Sequence, residues 1–219
     1  MMGSSASSDW VGAELGDLLD YVQPSKYIVE STDYNDSYKT PVLTAGKSFI
    51  KGYTNETQNI FENLPVIIFD DFTTASQFVS FKFKVKSSAM KILVPSSELV
   101  NIKYVFYFMR TIRQNADTHK RYWISIFSKL LIKLPPLVEQ RAIIKEIESR
   151  FSVCDRLYQE IERSLQKAEA LRQSILKKAF EGRLLTESEL AACRAALDWE
   201  PAQQLLARIQ AQTSQGPRR

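Results

Sequence analysis

The pattern of apolar and polar positions changes once along the chain. Up to residue 136 the apolar residues fall in short runs separated by turn-forming residues, which is typical of strands and short helices. Residues 137–181 contain no Gly or Pro, and their apolar residues recur at alternating spacings of three and four. This predicts an α+β protein: a mixed α/β domain over residues 1–136, a long helix over residues 137–182, and short helices with a tail over residues 183–219.

Three segments of the first domain carry clear strand patterns. Residues 39–54, KTPVLTAGKSFIKGYT, predict a strand, a turn and a second strand. Residues 66–69 are wholly apolar and predict a buried strand that delivers Asp70 and Asp71 to the loop at its end. FKFKVK, residues 81–86, alternates, so its Phe and Val side chains are expected to face a core and its three lysines to face solvent.

Other segments of this domain have weaker patterns. Residues 15–22 fit either a short helix or the lead-in to a strand, and the residues after Pro24 are expected to be extended. Residues 96–114 begin with Ser and Glu and continue with helical spacing, which predicts a helix. Residues 115–134 predict a basic loop followed by a strand or a short helix, which stops at Pro135 and Pro136.

The long helix carries one continuous apolar stripe of the a/d type. At about 1.5 Å per residue the helix is roughly 65 Å long, so it is expected to project beyond its parent domain and to leave the stripe exposed. A second copy of the chain can cover the stripe with its own stripe, which would give a symmetric dimer held by a coiled coil. The residues predicted at this interface are Ile143, Ile147, Phe151, Cys154, Leu157, Ile161, Leu165, Ala168, Leu171 and Ile175.

Charge is distributed unevenly along the chain. Residues 1–81 hold 4 Lys or Arg against 11 Asp or Glu, residues 82–133 hold 11 against 2, and the remainder holds 14 against 12. A basic block of this kind indicates a polyanionic partner such as nucleic acid, or a solvated lysine face.

Motifs for the commonest kinds of catalysis are absent from the sequence. It has no glycine-rich loop for a dinucleotide or for S-adenosylmethionine, no nucleoside-triphosphate loop, one His, and two Cys that do not form a CxxC. Asp70 and Asp71 are the best catalytic candidates, either as Mg²⁺ ligands of a nuclease or as residues that order a loop. No long apolar run predicts a membrane span, and the start lacks a signal-peptide core, so a cytoplasmic protein is expected.

Several segments resemble the DNA-specificity subunit of type I restriction-modification enzymes. The segments LPPLVEQRAIIKEI, LRQSILKKAFEGRL and EPAQQLLARIQAQ are similar to its conserved regions. The segments KTPVLTAGKSFIKGYT, VIIFDDFTT, FKFKVKSSAMKIL and HKRYWIS are similar to one of its target recognition domains. The pairing of the first two conserved segments, about 35 residues apart, is the most specific part of this resemblance.

The resemblance implies a non-catalytic protein that reads double-stranded DNA and scaffolds methyltransferase subunits, and translocating nuclease subunits in a full enzyme. S-adenosylmethionine, ATP and Mg²⁺ would then belong to those partners, and the chain itself would hold no cofactor or metal. The usual subunit has two recognition domains, whereas this chain has one and one long helix, so it resembles a half subunit. We therefore expect a homodimer, paired through an antiparallel coiled coil of the long helices, that reads an interrupted, palindromic site.

The residues expected to contact DNA lie in the loops beside the basic block. Base reading needs side chains that donate or accept hydrogen bonds in the major groove, and phosphate contact needs cations. The predicted DNA-contacting residues are Lys47, Thr73, Thr74, Lys84, Lys86, His119, Lys120, Arg121 and Tyr122.

Three alternatives stay open at the level of sequence. The chain can be a stand-alone DNA-binding dimer acting as a regulator or as a decoy for modification subunits. It can be a Mg²⁺-dependent nuclease that uses Asp70 and Asp71. A structural coiled-coil adaptor is the third alternative, but it leaves the basic block unexplained.

Overall fold

The computed structural model describes residues 9–45, 48–112 and 121–214. It consists of two compact units, one ending at Phe151 and one beginning at Ser152. The strands in the described residues are β1 (Val11–Glu14), β2 (Leu19–Val22), β3 (Thr40–Leu43), β4 (Ile50–Thr54), β5 (Val66–Asp70), β6 (Ser76–Val79), β7 (Lys84–Val85), β8 (Met90–Pro95) and β9 (Leu131–Leu134). The α-helices are α1 (Leu15–Leu18), α2 (Ile102–Met109), α3 (Tyr122–Ser125), α4 (Leu137–Phe180), α5 (Glu187–Arg194) and α6 (Ala202–Ser214).

The first unit is built around an antiparallel four-stranded sheet in the order β2-β8-β5-β6. Its second sheet has the order β4-β3-β7, in which β3 is antiparallel to β4 and parallel to β7. Strands β1 and β9 form a separate antiparallel pair.

Both faces of the four-stranded sheet are covered, which explains the uninterrupted apolar run of β5. Ile67 and Phe69 pack on one face with residues of α1, α2 and α3. Val66 and Ile68 pack on the other face with residues of β3 and β7. Because successive side chains of a strand point to opposite faces, a strand between two cores must be apolar at every position. The predicted buried strand is confirmed.

The long helix is confirmed as α4, a continuous helix of 44 residues. Gly182 follows it with a φ of 68°, a left-handed conformation that glycine adopts without steric cost. The Arg183 N–H donates to the Lys178 carbonyl at 2.8 Å and closes the last turn. Two further helices, α5 and α6, lie on either side of Pro201 as predicted, and the α+β class is confirmed.

Two local predictions are wrong, and a third, which was open between two structures, is resolved. Residues 24–27 form a 3-10 turn, since Pro24 at its first position fixes a φ compatible with a helical turn. The helix predicted from residue 96 begins at Ile102, because Asn101 provides the cap by accepting from the Lys103 N–H at 3.1 Å. Residues 15–22 form both structures that were considered, α1 followed by β2.

The predicted alternation of residues 81–86 is also wrong in part. Phe83 and Val85 are buried as expected, but Phe81 is 39% exposed and Lys84 is buried. Only two of the six residues belong to a strand, β7. The side of β7 that was expected to face solvent is covered by the segment that carries Glu56 and Gln58.

Candidate nucleic-acid interface

Several loops meet at one edge of the four-stranded sheet, where β5 ends and β8 begins. The two strands are antiparallel, with Asp70 opposite Met90, so the turn after β5 lies beside the loop before β8. The C-terminal ends of β2 and β3 reach the same edge. We call this group of residues the loop edge. It comprises Gln23, Thr44, Ala45, residues 71–75, residues 86–89 and Arg121.

Backbone hydrogen bonds hold the loop edge together. The Asp71 N–H donates to the Ala89 carbonyl at 3.3 Å, and the Tyr122 N–H donates to the Asp71 carbonyl at 3.1 Å. The Lys86 N–H donates to the Leu43 carbonyl at 3.0 Å. Segments far apart in the sequence are therefore fixed against each other by main-chain contacts.

Asp70 orders the turn between β5 and β6. Its Oδ1 atom accepts from the N–H groups of Phe72 and Thr73, both at 2.9 Å. The Thr74 N–H donates to the Asp70 carbonyl at 3.0 Å, and Thr74 has a φ of 59°. A short carboxylate that accepts from the next two or three backbone N–H groups is a common way to fix a turn.

Asp71 connects this turn to α3 and to β8. Its carboxylate is buried and its Oδ1 atom accepts from the Trp123 N–H at 2.8 Å. Its Oδ2 atom lies 3.6 Å from the Lys91 Nζ, which also lies 4.4 Å from the centre of the Tyr21 ring. Of the two roles considered for Asp70 and Asp71, the contacts of both side chains match the ordering of a loop.

Four of the nine predicted DNA-contacting residues lie together at the loop edge. They are Thr73, Thr74, Lys86 and Arg121. Thr73, Lys86 and Arg121 are exposed, and Thr74 is half-buried. Three others, Lys47, His119 and Lys120, lie outside the described residues.

Lys84 and Tyr122 are placed differently from the prediction. The Lys84 side chain is 2% exposed, and its Nζ lies 2.5 Å from the Glu56 Oε2 and donates to the Gln58 carbonyl at 3.1 Å. Tyr122 is 3% exposed and belongs to the core beneath α3. Both residues are therefore core components, and the expectation that they present their side chains to DNA is corrected.

Glu56 is the counter-ion that allows a lysine to be buried here. Burial pushes the pKa of the Glu56 carboxyl upward, but three hydrogen bonds outweigh burial and hold that pKa below its ordinary value. The donors are Lys84 and the N–H groups of Ser31 and Glu30, the latter two at 3.0 Å from Oε1. A charge that accepts several hydrogen bonds stays ionised in a partly buried position.

The structure adds residues to the loop edge that the sequence did not single out. Phe72 lies at the tip of the β5–β6 turn with 47% of its surface exposed. Gln23 and Lys91 line a pocket of about 250 Å³ beside Phe72 and Arg121. The sequence did contain a signal for Phe72, because this apolar residue directly follows two aspartates at the end of a predicted strand and is therefore expected in a loop. Gln23 offered no such signal, because its neighbours in space lie far away in the sequence.

The predicted apolar stripe of α4 is exposed over most of its length. Ile143 and Ile147 are half-buried. The exposed fractions of the larger side chains beyond them are 55% for Phe151, 59% for Leu157, 68% for Ile161, 64% for Leu165, 62% for Leu171 and 45% for Ile175. Cys154 and Ala168 are exposed as well. Exposed apolar surface of this extent marks a site of association.

The first turns of α4 are fixed by a buried glutamine to the rest of the first unit, residues 9–151, which we call the sheet unit. Gln140 is 1% exposed; its Nε2 donates to the Pro135 carbonyl at 2.9 Å and its Oε1 accepts from the Asn101 N–H at 2.9 Å. Ile144, one turn later, is also buried. The sequence analysis placed Ile143 on the stripe and did not identify Gln140 or Ile144 as the anchor.

Further contacts extend this attachment to Phe151. The Lys103 Nζ lies 2.5 Å from the Glu148 Oε1, and the Tyr107 and Phe151 rings meet edge to face with their centres 5.9 Å apart. The start of α4 is thus packed on α2 through three successive turns.

The described part of the chain presents polar groups at the loop edge. Within residues 9–45, 48–112 and 121–214, no group of three or more His, Cys, Asp or Glu is arranged to hold a metal ion. No helix among these residues is long and apolar enough to span a membrane. Exposed cations, hydroxyls and an amide at the loop edge are the groups that contact phosphates and base edges.

Comparison with known proteins gives consistent matches. The family model described as the type I restriction modification DNA specificity domain matches residues 7–167. A specificity subunit of the type I restriction enzyme EcoR124I/EcoR124II from Escherichia coli is 50% identical over 126 residues, which cover 55% of this chain and 31% of that protein. The MjaVIII specificity subunit from Methanocaldococcus jannaschii is 25% identical over 214 residues, which cover 91% of this chain and 49% of that protein.

Solved structures share the fold. A chain from a structure that describes complex assembly and conformational transition of the type I R-M system superposes with a TM-score of 0.61 at 19% identity, covering 83% of this chain and 48% of that chain. The type I restriction-modification S subunit from M. genitalium superposes with a TM-score of 0.52 at 16% identity, covering 88% and 50%. The chain spans about half the length, or less, of the relatives it matches.

Proposed function

The chain belongs to the family of type I restriction modification DNA specificity domains, and from this premise we propose that it reads a DNA sequence and performs no catalysis itself. The observation that carries the proposal is the family match over residues 7–167, which includes both the loop edge and the first 31 residues of α4. Its relatives from E. coli and M. jannaschii are specificity subunits of restriction enzymes.

The loop edge is the surface that we propose for DNA contact. Arg121 and Lys86 supply exposed cations for phosphates or for guanine, and Thr73 and Thr74 supply hydroxyls. Lys47, His119 and Lys120, which lie outside the described residues, stay in the proposal as further contacts. Rigid loops suit this task, because side chains that are already positioned lose less entropy on binding.

We propose that two copies of the chain pair through the apolar stripe of α4 in an antiparallel coiled coil. The exposure of Leu157, Ile161 and Leu165 supports this pairing, because a second copy brings an identical stripe. A two-fold axis between two identical reading domains requires a palindromic site. The two half-sites would be separated by a fixed gap set by the helices.

The proposed partners follow from the type I assembly. Methyltransferase subunits would bind this chain and supply S-adenosylmethionine, and a nuclease or translocase subunit would supply the site for ATP and Mg²⁺. One structural relative comes from a study of complex assembly of the type I R-M system, which supports a scaffolding role.

The test is to express the chain together with a type I modification subunit in cells without other type I enzymes and to sequence the methylated bases. We expect a new methylated motif that is an interrupted palindrome. No new motif would contradict the specificity function. An asymmetric motif would retain DNA reading but contradict pairing of two identical copies. Recovery of the chain without bound methyltransferase would favour the stand-alone regulator.

A further inference from the structure

An exposed phenylalanine at the loop edge has surroundings unlike those of a scattered surface residue. Phe72 is 47% exposed, although it sits between Asp71, which is buried, and Thr73, whose backbone is fixed by Asp70. Single exposed apolar residues are common on protein surfaces. What distinguishes Phe72 is that the backbone on both sides of it is held in place.

The backbone that carries the ring is fixed by the contacts of its neighbours. The Phe72 N–H donates to the Asp70 Oδ1 at 2.9 Å. The Asp71 carboxylate is held by the Trp123 N–H at 2.8 Å and by Lys91 at 3.6 Å. Displacing this backbone would break these contacts, and leaving a buried carboxylate without partners is costly. The turn therefore holds the attachment point of an exposed apolar ring at the surface.

The groups around the ring are those that recognise a nucleotide. Phe72 lines a pocket of about 250 Å³ together with Gln23, Asp71, Ser88, Lys91 and Arg121. An aromatic face beside a cation is the arrangement with which proteins stack bases and contact the adjacent phosphate.

We infer that Phe72 stacks on a nucleobase of the bound DNA at a base step that opens or deforms on binding, while Arg121 contacts the neighbouring phosphate. The inference rests on the proposed function, since it requires DNA at the loop edge. It makes Phe72 a specificity-determining residue that favours sequences with an easily unstacked step at that position, such as a pyrimidine–purine step.

The experiment uses the full chain and a pool of random-sequence duplexes in which 5-iododeoxyuridine replaces thymidine. Long-wavelength irradiation couples this base to an aromatic ring stacked on it, and the attached peptide is identified by mass spectrometry. We expect coupling at Phe72. In binding measurements we expect Phe72→Ala and Phe72→Leu to weaken binding by about tenfold to a hundredfold, and Phe72→Trp to retain binding.

Leu99→Ala is the matched control, because Leu99 is 71% exposed and belongs to the loop after β8, at the opposite end of the sheet. Thermal unfolding of each variant verifies that the fold is intact, and Phe72→Leu keeps the comparison valid if Phe72→Ala does not fold. DNA binding with no coupling at Phe72 and unchanged affinity of both variants would overturn the stacking role and leave the proposed function standing.

Two other results are informative. Loss of methyltransferase assembly in Phe72→Ala with unchanged DNA affinity would also overturn the inference, because it would assign the ring to a protein contact. If the wild-type chain retains no duplex from the pool while correctly folded, the proposed function fails and the stacking role fails with it.

Discussion

The sheet unit and the part of α4 beyond Phe151 differ in how far their large apolar side chains are buried. In the sheet unit Ile68 is 0% exposed, and even Lys84, at 2%, has a carboxylate partner inside the unit. In α4, Leu157 and Ile161 are 59% and 68% exposed. The buried apolar and charged groups of the first region find their partners inside it, whereas the second region presents apolar groups that only another surface can cover. Substitutions of buried residues in the first region should therefore alter stability, and substitutions on the stripe of the second should alter association.

The largest effect is expected from charges placed on the apolar stripe. Ile161→Asp combined with Leu165→Asp should weaken self-association by about a thousandfold or more, or about 4 kcal/mol, because two carboxylates would be buried in an apolar interface. Sedimentation velocity over a concentration series measures the change. Gln159→Asp with Arg163→Asp is the control, with the same spacing on another face of the helix. Equal weakening by both pairs would show that the stripe is not the interface.

In the sheet unit, removal of the Lys84 counter-ion should have the next largest effect. Glu56→Ala leaves a buried ammonium without its partner, and we expect the free energy of unfolding to fall by about 3–5 kcal/mol. Urea denaturation measures this change. The matched control is Glu62→Ala, whose partner Lys82 is exposed, with an expected loss below about 1 kcal/mol. Similar losses in both variants would contradict the distinction between the two pairs.

The same pair gives a pH dependence with a defined sign. Because the folded-state pKa of Glu56 lies below its ordinary 4.5, its contribution to stability is complete above about pH 4.5 and is lost as the pH falls through the folded-state pKa. Unfolding free energies measured from pH 6 to pH 3 should therefore decrease less steeply in Glu56→Gln than in the wild type. If the unfolding free energy decreases equally steeply with falling pH in both proteins, Glu56 does not contribute to the acid sensitivity of the fold.

A smaller effect is expected within the first unit, where the first turns of α4 are attached. Gln140→Ala leaves the Asn101 N–H and the Pro135 carbonyl without their partner, and we expect a loss of about 1–3 kcal/mol in unfolding free energy. Gln159→Ala, at an exposed position on the same helix, should change stability by less than about 0.5 kcal/mol. Chemical denaturation of the two variants gives the comparison, and equal stability would mean that Gln140 does not anchor α4.

The smallest effect on stability is expected from the exposed cations of the loop edge, whose removal should change only DNA binding. Lys86→Ala with Arg121→Ala should leave stability unchanged and reduce the slope of log K against log salt by about 2, since each phosphate contact contributes about 0.9. Fluorescence anisotropy with a labelled duplex at several salt concentrations measures the slope. Lys82→Ala is the control, because its partner Glu62 lies near the N-terminal end of β5, away from the loop edge. If the double variant keeps the wild-type slope, Lys86 and Arg121 do not contact the DNA phosphates.

The features that the sequence predicted correctly depend on local periodicity. The buried run of residues 66–69 and the stripe that includes Leu157 and Leu165 follow from side-chain spacing along a single element. The stop at Gly182 follows from the conformation of one residue. Each of these signals lies within a few residues of the feature that it predicts.

The features that the sequence missed depend on contacts between distant segments. The burial of Lys84 depends on Glu56, which lies in the segment between β4 and β5. The alternating pattern of residues 81–86 carries no information about that segment, so it predicted an exposed lysine. The loop edge exists because Asp71 joins Trp123, and Phe72 becomes a candidate only once its neighbours are known to be fixed. The helix predicted from residue 96 begins only after Asn101 for a similar reason, since Gln140 of α4 accepts a hydrogen bond from the Asn101 N–H.

The most direct test of the account is the mass of the wild-type chain alone in solution, measured by light scattering coupled to size exclusion at micromolar concentration. Pairing through the α4 stripe predicts a particle of twice the chain mass of 25.1 kDa, and a particle of a single chain mass for Ile161→Asp with Leu165→Asp. A wild-type particle with the mass of one chain would contradict the pairing and the palindromic site that follows from it.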